Sequence, residues 1–564
     1  MAPAEIFSPI EDLPHIPDDL TLAQFTLDYQ HPCRPTRKND IPWIIEEHTG
    51  KKIGLEELRS RTYGLANALK IKYDIILIYS PNHVDYLVAI WAAHRLGAIM
   101  SGANPLFTTD ELAYQIEATK ATIVITHPDS LPVALSAARV TGLHSDRVSI
   151  FDADGSENFQ ADTVQKLITH GLACPPRFTE RRLNSGEGKT KIAFLSFSSG
   201  TTGKPKAVAI PHYAPIANVI QVASFHKVNV NYAPWDEQRF RPGDICSVLP
   251  LYHIYGLVYN THYIFFAGMS IVLATRFNFI DFLKSIDRYR ITHLLLVPPH
   301  VVLLCKHPEV KNYDLSSVRY IASGGAPLAG ETLEQLVKLF PDASMGQGYG
   351  TTESSTGISI FPLDTKHGFD GSSGKLLQGV TARVERPDGS LAEFDEPGEL
   401  VIKSPSLALG YAGNPEATKE TFVNGWYRTG DEVRLTSTGQ LFEMIKVRGF
   451  QVAPAELEGC ILDHPEVADT CVVSIQDEYS GELPLAFVVL HPVPAARAHE
   501  DPQVAEEIKK SIMTHVADNK VAYKKLAGGV EFIDAIPKNP SGKLLRRVLR
   551  DRARQLKSKP IAKL

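Results

Sequence analysis

The stretch Phe194–His212, FLSFSSGTTGKPKAVAIPH, decides how the rest of the chain is read. A short apolar run feeds a loop built from Ser198, Ser199, Gly200, Thr201, Thr202, Gly203 and Lys204, with Lys206 just beyond. Glycine lets the backbone approach an anion, hydroxyl and N–H groups donate to its oxygens, and lysine adds charge, so the loop suits the outer phosphates of a nucleotide. It is not the commonest phosphate loop, in which a glycine is followed after four residues by Gly-Lys and a hydroxyl residue. Gly200 and Gly203 stand too close together, and Pro205 follows Lys204. Alone, the pattern also describes an ordinary surface loop, so the neighbouring sequence has to decide.

At 564 residues the chain is long enough for several domains. Hydrophobic content of 44%, charged content of 22% and a net charge of -6 describe a globular protein without the basic field that attracts nucleic acid. Cys33, Cys174, Cys246, Cys305, Cys460 and Cys471 are scattered without metal-ligand spacing and read as reduced and mostly buried. The first residues are acidic and carry no leader pattern. The most apolar stretches, Tyr263–Ala274 and His293–Cys305, are broken by glycine or proline and fall short of the roughly 20 residues of a bilayer span. They are expected to be buried core, and no transmembrane segment is expected. Ala562-Lys563-Leu564 is close to the Ser-Lys-Leu tripeptide read by the peroxisomal import receptor, which predicts a peroxisomal protein, or a cytosolic one if the tripeptide is not read.

From residue 192 to 360 the sequence repeats an apolar run, a loop rich in glycine, serine, threonine or proline, and a helix-like stretch. IAFLSF leads into SSGTTGKPK, ITHLLLV into PPH, and VRYIAS into GGAPLAGETLEQLVKLF, where Leu333, Leu336, Val337 and Phe340 recur at helical spacing. This is α/β architecture, in which such loops converge on a crevice at the strand ends. After Phe442 the texture changes to helix, strand, turn, strand, with Pro454 at a first helical position and further helices expected near Pro502–Val516 and Leu544–Gln555. The predicted division is a body over 1–442 and a small domain over 443–564.

Four more stretches settle the meaning of the first: GQGYGTTES (Gly346–Ser354), GWYRTGD (Gly425–Asp431), VRGFQVAPAELE (Val447–Glu458) and PKNPSGKLLRR (Pro537–Arg547). In this order the five motifs resemble the adenylate-forming superfamily, and within it the 4-coumarate-CoA-ligase-like acyl-CoA synthetases. The resemblance implies a large α/β adenylation body of several subdomains and a small α+β C-terminal lid. It also implies two half-reactions: a carboxylate attacks the α-phosphorus of MgATP, giving acyl-adenylate and pyrophosphate, and CoA thiol then displaces AMP. The expected acid is an aryl or fatty acid, with secondary metabolism a compatible setting.

Phosphoryl transfer is mostly positioning and charge neutralisation. By resemblance Ser198, Ser199, Thr201, Thr202, Gly203 and Lys204 handle the β- and γ-phosphates, Thr351 and Thr352 the α-phosphate, and Glu353 the Mg2+ ion, which prefers oxygen ligands. Gln347, Gly348, Tyr349 and Gly350 belong to the same nucleotide segment, with the Tyr349 ring set against adenine, and Asp431 accepts the ribose hydroxyls. Lys543, on a Ser-Gly-Lys loop, is implied to stabilise developing charge during adenylation. Lys446 and Gln451 match two further polar positions of the lid, and Arg448-Gly449 the part that meets CoA. LPLYHIYGL (Leu249–Leu257) resembles the acid-pocket segment, with His253 at its mouth, and the pocket wall is implied to include Tyr255, Ser323, Gly324, Gly325 and Ala326.

The chain also departs from the pattern. Relatives carry a Val-Asp-Arg-x-Lys hinge segment, whereas Phe442-Glu443-Met444-Ile445 leaves no room for it, and the stretch LKIKYDIILIYS is shortened before its strand. Either coding sequence is missing here or the chain is an impaired relative. Two alternatives to a CoA ligase therefore stand: an acid-adenylating enzyme serving another acceptor, and a hinge-defective, non-catalytic paralogue.

Overall fold

The run Ile192–Ser198 is a strand, and Lys206–Pro211 returns antiparallel to it, so the glycine-rich loop connects two paired strands. The computed structural model describes the chain except residues 1–2, 9–11, 70–73, 153–161, 199–204, 229–238, 326–329, 369–371, 387, 444–453, 478–480, 538–545 and 559–564. The pair forms one edge of a six-stranded sheet that continues through Ile99–Ala103, Ile75–Tyr79, Ile123–Thr126 and Val148–Ile150, all parallel. Its β-branched and leucine-rich strands are buried on both faces, as parallel sheets covered by helices must be. The helices carry readable ends. Thr108 and Glu111 close a capping box at the start of Thr109–Thr119, and Gly97, at φ 80, ends Val84–Leu96 in the left-handed conformation.

A second sheet of nine strands holds the crevice. Its parallel centre runs Ser344–Thr351, Tyr320–Gly324, His293–Leu296, Ile245–Ser247, Ser270–Leu273 and Ile44–Glu46. The runs ITHLLLV and VRYIAS supply His293–Leu296 and Tyr320–Gly324, and the expected amphipathic helix follows as Gly330–Leu339. Tyr263–Ala274 is buried almost throughout, as its composition requires. A third, antiparallel sheet includes Thr381–Glu385, Pro397–Lys403 and Trp426–Leu435, the last carrying Asp431. Among the described residues no helix is long and apolar enough to cross a membrane. All six cysteines are free thiols, with Cys246, Cys460 and Cys471 buried and the other three half-buried.

The small domain pairs Val467–Asp477 with Gly481–Leu490, and Gly529–Phe532 runs parallel to the latter. Helices Pro454–Leu462, Pro502–Asn519 and Arg546–Ser558 occupy the positions read from sequence, and a further helix, Pro492–Glu500, begins on a first-turn proline. Its core is its own, built on Leu457, Ile461, Val488, Ile512 and Val530. It touches the body through Tyr523 and Lys524. The Asn104 amide donates to the Tyr523 hydroxyl at 3.2 Å, and buried Lys524 lies 3.8 Å from the Glu111 carboxylate.

Within the body, Arg61 on the helix Leu55–Leu69 forks onto Asp85 of Val84–Leu96, at 2.7 Å and 2.5 Å, and Asp85 is only 1% exposed. A carboxylate this deeply buried depends on its partner, and breaking such a pair from one side strands the other charge. Asp85→Asn is expected to destabilise the body by about 3 kcal/mol, measured as the shift of its unfolding transition in urea.

Candidate active site

The parallel strands of the nine-stranded sheet end on a cavity of about 570 Å³, within the size range of small-molecule sites. His253 and Tyr255 line it on one side. Gly324, Gly325, Gly348, Tyr349, Gly350, Thr351 and Thr352 line it from the ends of Tyr320–Gly324 and Ser344–Thr351, so one space gathers residues singled out from three separate motifs. Ser323 pairs with Gln347 in the sheet just below, both buried, and the Ser323 hydroxyl has no partner among the described residues. Ser199, Thr201, Thr202, Gly203, Lys204, Ala326, Lys446, Arg448, Gly449, Gln451 and Lys543 lie outside the described residues.

The turn after Ser344–Thr351 is held in an unusual shape. A Cβ on Gly350 would sit 1.8 Å from the Thr356 carbonyl oxygen, so only glycine fits there. Ser355 and Thr356 have φ of 55° and 121°, uncommon for residues with side chains and costly for β-branched threonine. The Ser354 hydroxyl sits 3.0 Å from that of Thr351, and the Thr356 hydroxyl donates to the Ile254 carbonyl at 3.1 Å. These bonds fix the turn that presents Thr351, Thr352 and Glu353.

Glu353 is 5% exposed, yet it makes no ion pair with any described residue. Three hydroxyls surround it instead. Ser198 donates to Oε1 at 2.6 Å, Tyr411 donates to the same oxygen at 2.9 Å, and Tyr427 donates to Oε2 at 3.4 Å. Burial first, and the nearby carboxylate second, push both phenols above the ordinary tyrosine range, so they remain protonated donors. The Ser198 hydroxyl, expected at the phosphates, is thus engaged with Glu353. Tyr427 lies inside the GWYRTGD motif, whereas Tyr411 carried no sequence signal. A buried carboxylate with neutral donors retains demand for a cation. Among the described residues no three His, Cys, Asp or Glu side chains gather as a ready-made metal cage. Magnesium is commonly held by one or two carboxylates, water and substrate phosphates, and the donor set at Glu353 fits that mode.

Asp431 accepts a hydrogen bond from the Tyr349 hydroxyl at 2.6 Å through Oδ2, and its backbone N–H donates to Thr429 Oγ1 at 3.1 Å. Oδ1 receives no hydrogen bond from the described residues. Tyr349 is 2% exposed, so its ring is chiefly a wall element whose hydroxyl orients Asp431. Tyr255 and Tyr259 join the lining from Tyr255–Tyr263, which is wound as a π-helix, a form that recurs at functional sites. A Cβ on Gly256 would come within 2.2 Å of the Pro250 carbonyl oxygen, so that glycine seats the turn. The Tyr255 N–H donates to His253 Nδ1 at 3.2 Å, orienting the imidazole. Burial raises Tyr255 and Tyr259 well above the ordinary tyrosine range, which keeps the wall uncharged. Tyr259, Asn104, Phe277, His300 and Glu47 also line the cavity and were not singled out from sequence. Tyr259 follows Tyr255 at a spacing that could have signalled a shared face. The others come from distant segments that only the sheet order brings together.

Residues 34–412 match the family described as AMP-binding enzyme, and residues 456–543 match the AMP-binding enzyme C-terminal domain. The chain is 32% identical over 554 residues to 4-coumarate-CoA ligase 1 of Narcissus pseudonarcissus, covering 95% of this chain and 94% of that protein. It is likewise 32% identical over 567 residues to an acyl-CoA ligase of Alternaria alternata, covering 95% of each. The fold is similar to that of an amide bond synthetase from Marinactinospora thermotolerans, with a TM-score of 0.74 at 23% identity, over 94% of this chain and 99% of the other. With both domain matches in order and full-length relatives above 30% identity, the chain belongs to the family of AMP-binding, adenylate-forming enzymes.

Proposed function

We propose that the protein is an AMP-forming acid–CoA ligase, which joins an aryl or fatty carboxylic acid to AMP and then to the thiol of CoA. The observation that carries this reading is the buried Glu353 carboxylate, bonded by Ser198, without an ion pair among the described residues, and next in sequence to Thr351 and Thr352, which line a largely apolar cavity. ATP supplies the leaving group that a carboxylate lacks, and magnesium, when bound, offsets phosphate charge. Glu353 would hold it.

In this reading Thr351 and Thr352 donate to the α-phosphate, where the strained turn fixes their direction before substrate arrives. Asp431 offers Oδ1 to the ribose hydroxyls while Tyr349 restrains Oδ2. Tyr255, Gly324 and Gly325 admit the acid beside the phosphate, and His253 stands at the mouth as a gate for acid or thiol. The segments bearing Ser199, Thr201, Thr202, Gly203 and Lys204, and Lys446, Arg448, Gly449, Gln451 and Lys543, are assigned here by motif alone. Lys543 is the group assigned to the charge that develops as the acid oxygen bonds to phosphorus. Lid exchange between half-reactions is a conformational step of the kind that sets turnover in many enzymes, and the shortened segment after Phe442 bears directly on it. We also propose that Ala562-Lys563-Leu564, where it ends the polypeptide, is read by the peroxisomal import receptor.

The decisive experiment follows pyrophosphate release across aryl, short-chain and long-chain acids, with and without CoA. Pyrophosphate and thioester together support the ligase. Adenylate without thioester assigns the protein to another acceptor, and no ATP binding or consumption leaves a non-catalytic relative. Lys543→Ala is expected to slow acyl-adenylate formation by about 10²- to 10³-fold, the scale for removing one transition-state donor, while thioester formation from supplied acyl-adenylate is less affected. Equal losses in both steps would contradict the role. Glu353→Gln keeps a side chain that hydroxyls can bond but removes the charge. It is expected to raise the magnesium concentration for half-maximal adenylation by at least the ~10-fold that loss of even an outer partner costs a metal site. Deleting the last three residues should leave a fluorescently tagged protein in the cytosol, and unchanged organelle staining would dismiss the targeting reading.

A further inference from the structure

The cavity reaches well past the wall that an adenylated carboxylate requires. Thr351 ends one strand of the parallel centre and Glu47 follows Ile44–Glu46, which lies five strand positions away in the same sheet. At about 4.8 Å per strand the two are on the order of 20–25 Å apart. Both line one continuous cavity, with Val272, Phe282 and Leu295 making the stretch between apolar. Such a span suits a long aliphatic chain better than a single aryl ring.

The remote end is polar and built. Ser285, 4% exposed, donates to Glu47 Oε1 at 2.8 Å, and the Tyr289 hydroxyl donates to the Glu47 backbone carbonyl at 2.7 Å. The helix Phe279–Tyr289 thereby pins Glu47 at both side chain and main chain. Glu47 Oε2 accepts no hydrogen bond and forms no ion pair among the described residues. Two other polar side chains at this end are engaged, Arg276 with Asp129 at 2.9 Å and Asn278 with the N–H groups of Ile280 and Asp281, while the His300 ring stacks on Phe277. Burial raises the Glu47 carboxyl above its ordinary range, Ser285 opposes that rise, and Asp281 adds to it. Glu47 is half-buried, so water meets this oxygen until a donor carried by a ligand takes its place. The Glu47 carboxylate lines this end and disfavours a second carboxylate there; Asp281, outside the lining, is paired with Lys284 at 2.9 Å.

We propose that Glu47, positioned by Ser285, determines specificity at the far end of the acid pocket, where its unengaged oxygen receives a hydroxyl or ammonium group carried at the distal end of a long aliphatic carboxylic acid. The proposal rests on the ligase reading above and names its substrate class.

The test compares kcat/KM for palmitate, its ω-hydroxy and ω-amino derivatives and the corresponding α,ω-diacid, in the intact protein and in Glu47→Leu and Glu47→Gln. The intact protein is expected to prefer the two donors over palmitate and to reject the diacid. Glu47→Leu should reduce the donor-to-palmitate ratio by about 10- to 100-fold, the range for a hydrogen bond to a charged group. Glu47→Gln should retain preference for the hydroxyl and lose it for the ammonium. Ser285→Ala, a smaller change, should reduce the same ratio partially and serves where Glu47→Leu does not fold. An intact protein that ranks palmitate or the diacid first, or a ratio unmoved by Glu47→Leu, overturns the proposal. Calorimetric binding of the same acids in the presence of AMP reads the ratio independently of turnover, so absence of ATP consumption with every acid refutes the ligase reading while the binding series still decides the role of Glu47.

Discussion

A carboxylate taken out of water must be compensated, and in this protein the compensation of Glu353 brings three sheets to one point. Ser198 comes from the end of the six-stranded sheet, Glu353 from the turn closing a strand of the nine-stranded sheet, and Tyr427 from the antiparallel sheet. Tyr411, which bridges to Val208, supplies the remaining close donor. Neutral hydroxyls satisfy the geometry of the carboxylate without cancelling its charge. The junction of the body therefore also carries demand for a cation, and the strand end at Ser198 and the strained turn meet there beside the cavity. Removing charge from water is tolerable where bonded donors and an incoming cation share the burden.

Between the corner at Glu353 and the distal carboxylate of Glu47 the wall of the site is largely uncharged. Tyr255 and Tyr259 stay protonated because they are buried, and the glycines at 324, 325, 348 and 350 keep the floor low enough for a substrate to approach the backbone. A charged carboxylate would enter this space only toward the turn at Thr351, where donors face it. A charged corner beside an uncharged wall orients an acid by its carboxylate end.

Much of this was readable from the chain. Apolar runs of strand length bounded by glycine and proline gave the strands at Ile192, His293 and Tyr320, and motif order gave the corner at Thr351–Glu353 and the carboxylate at Asp431. The rest depended on pairing that no local pattern carries. Tyr411 stands in an unremarkable stretch and gains meaning only by folding over Val208. Glu47 reaches the cavity because Ile44–Glu46 joins the far side of the sheet, parallel to Ser270–Leu273. Nothing in the spacing of Tyr255–Tyr263 marks its winding, because periodicity cannot separate a π-helix from an α-helix over so short a length. The motif assigns Tyr349 only an aromatic face, whereas its burial and its bond to Asp431 give it an orienting part that composition does not reveal.

Asn104 belongs to the cavity wall, and its amide also donates to Tyr523 of the small domain. One carboxamide, with two N–H groups to give, thus borders both the chamber and the seat of the small domain, so that a substitution at this single position alters the two together.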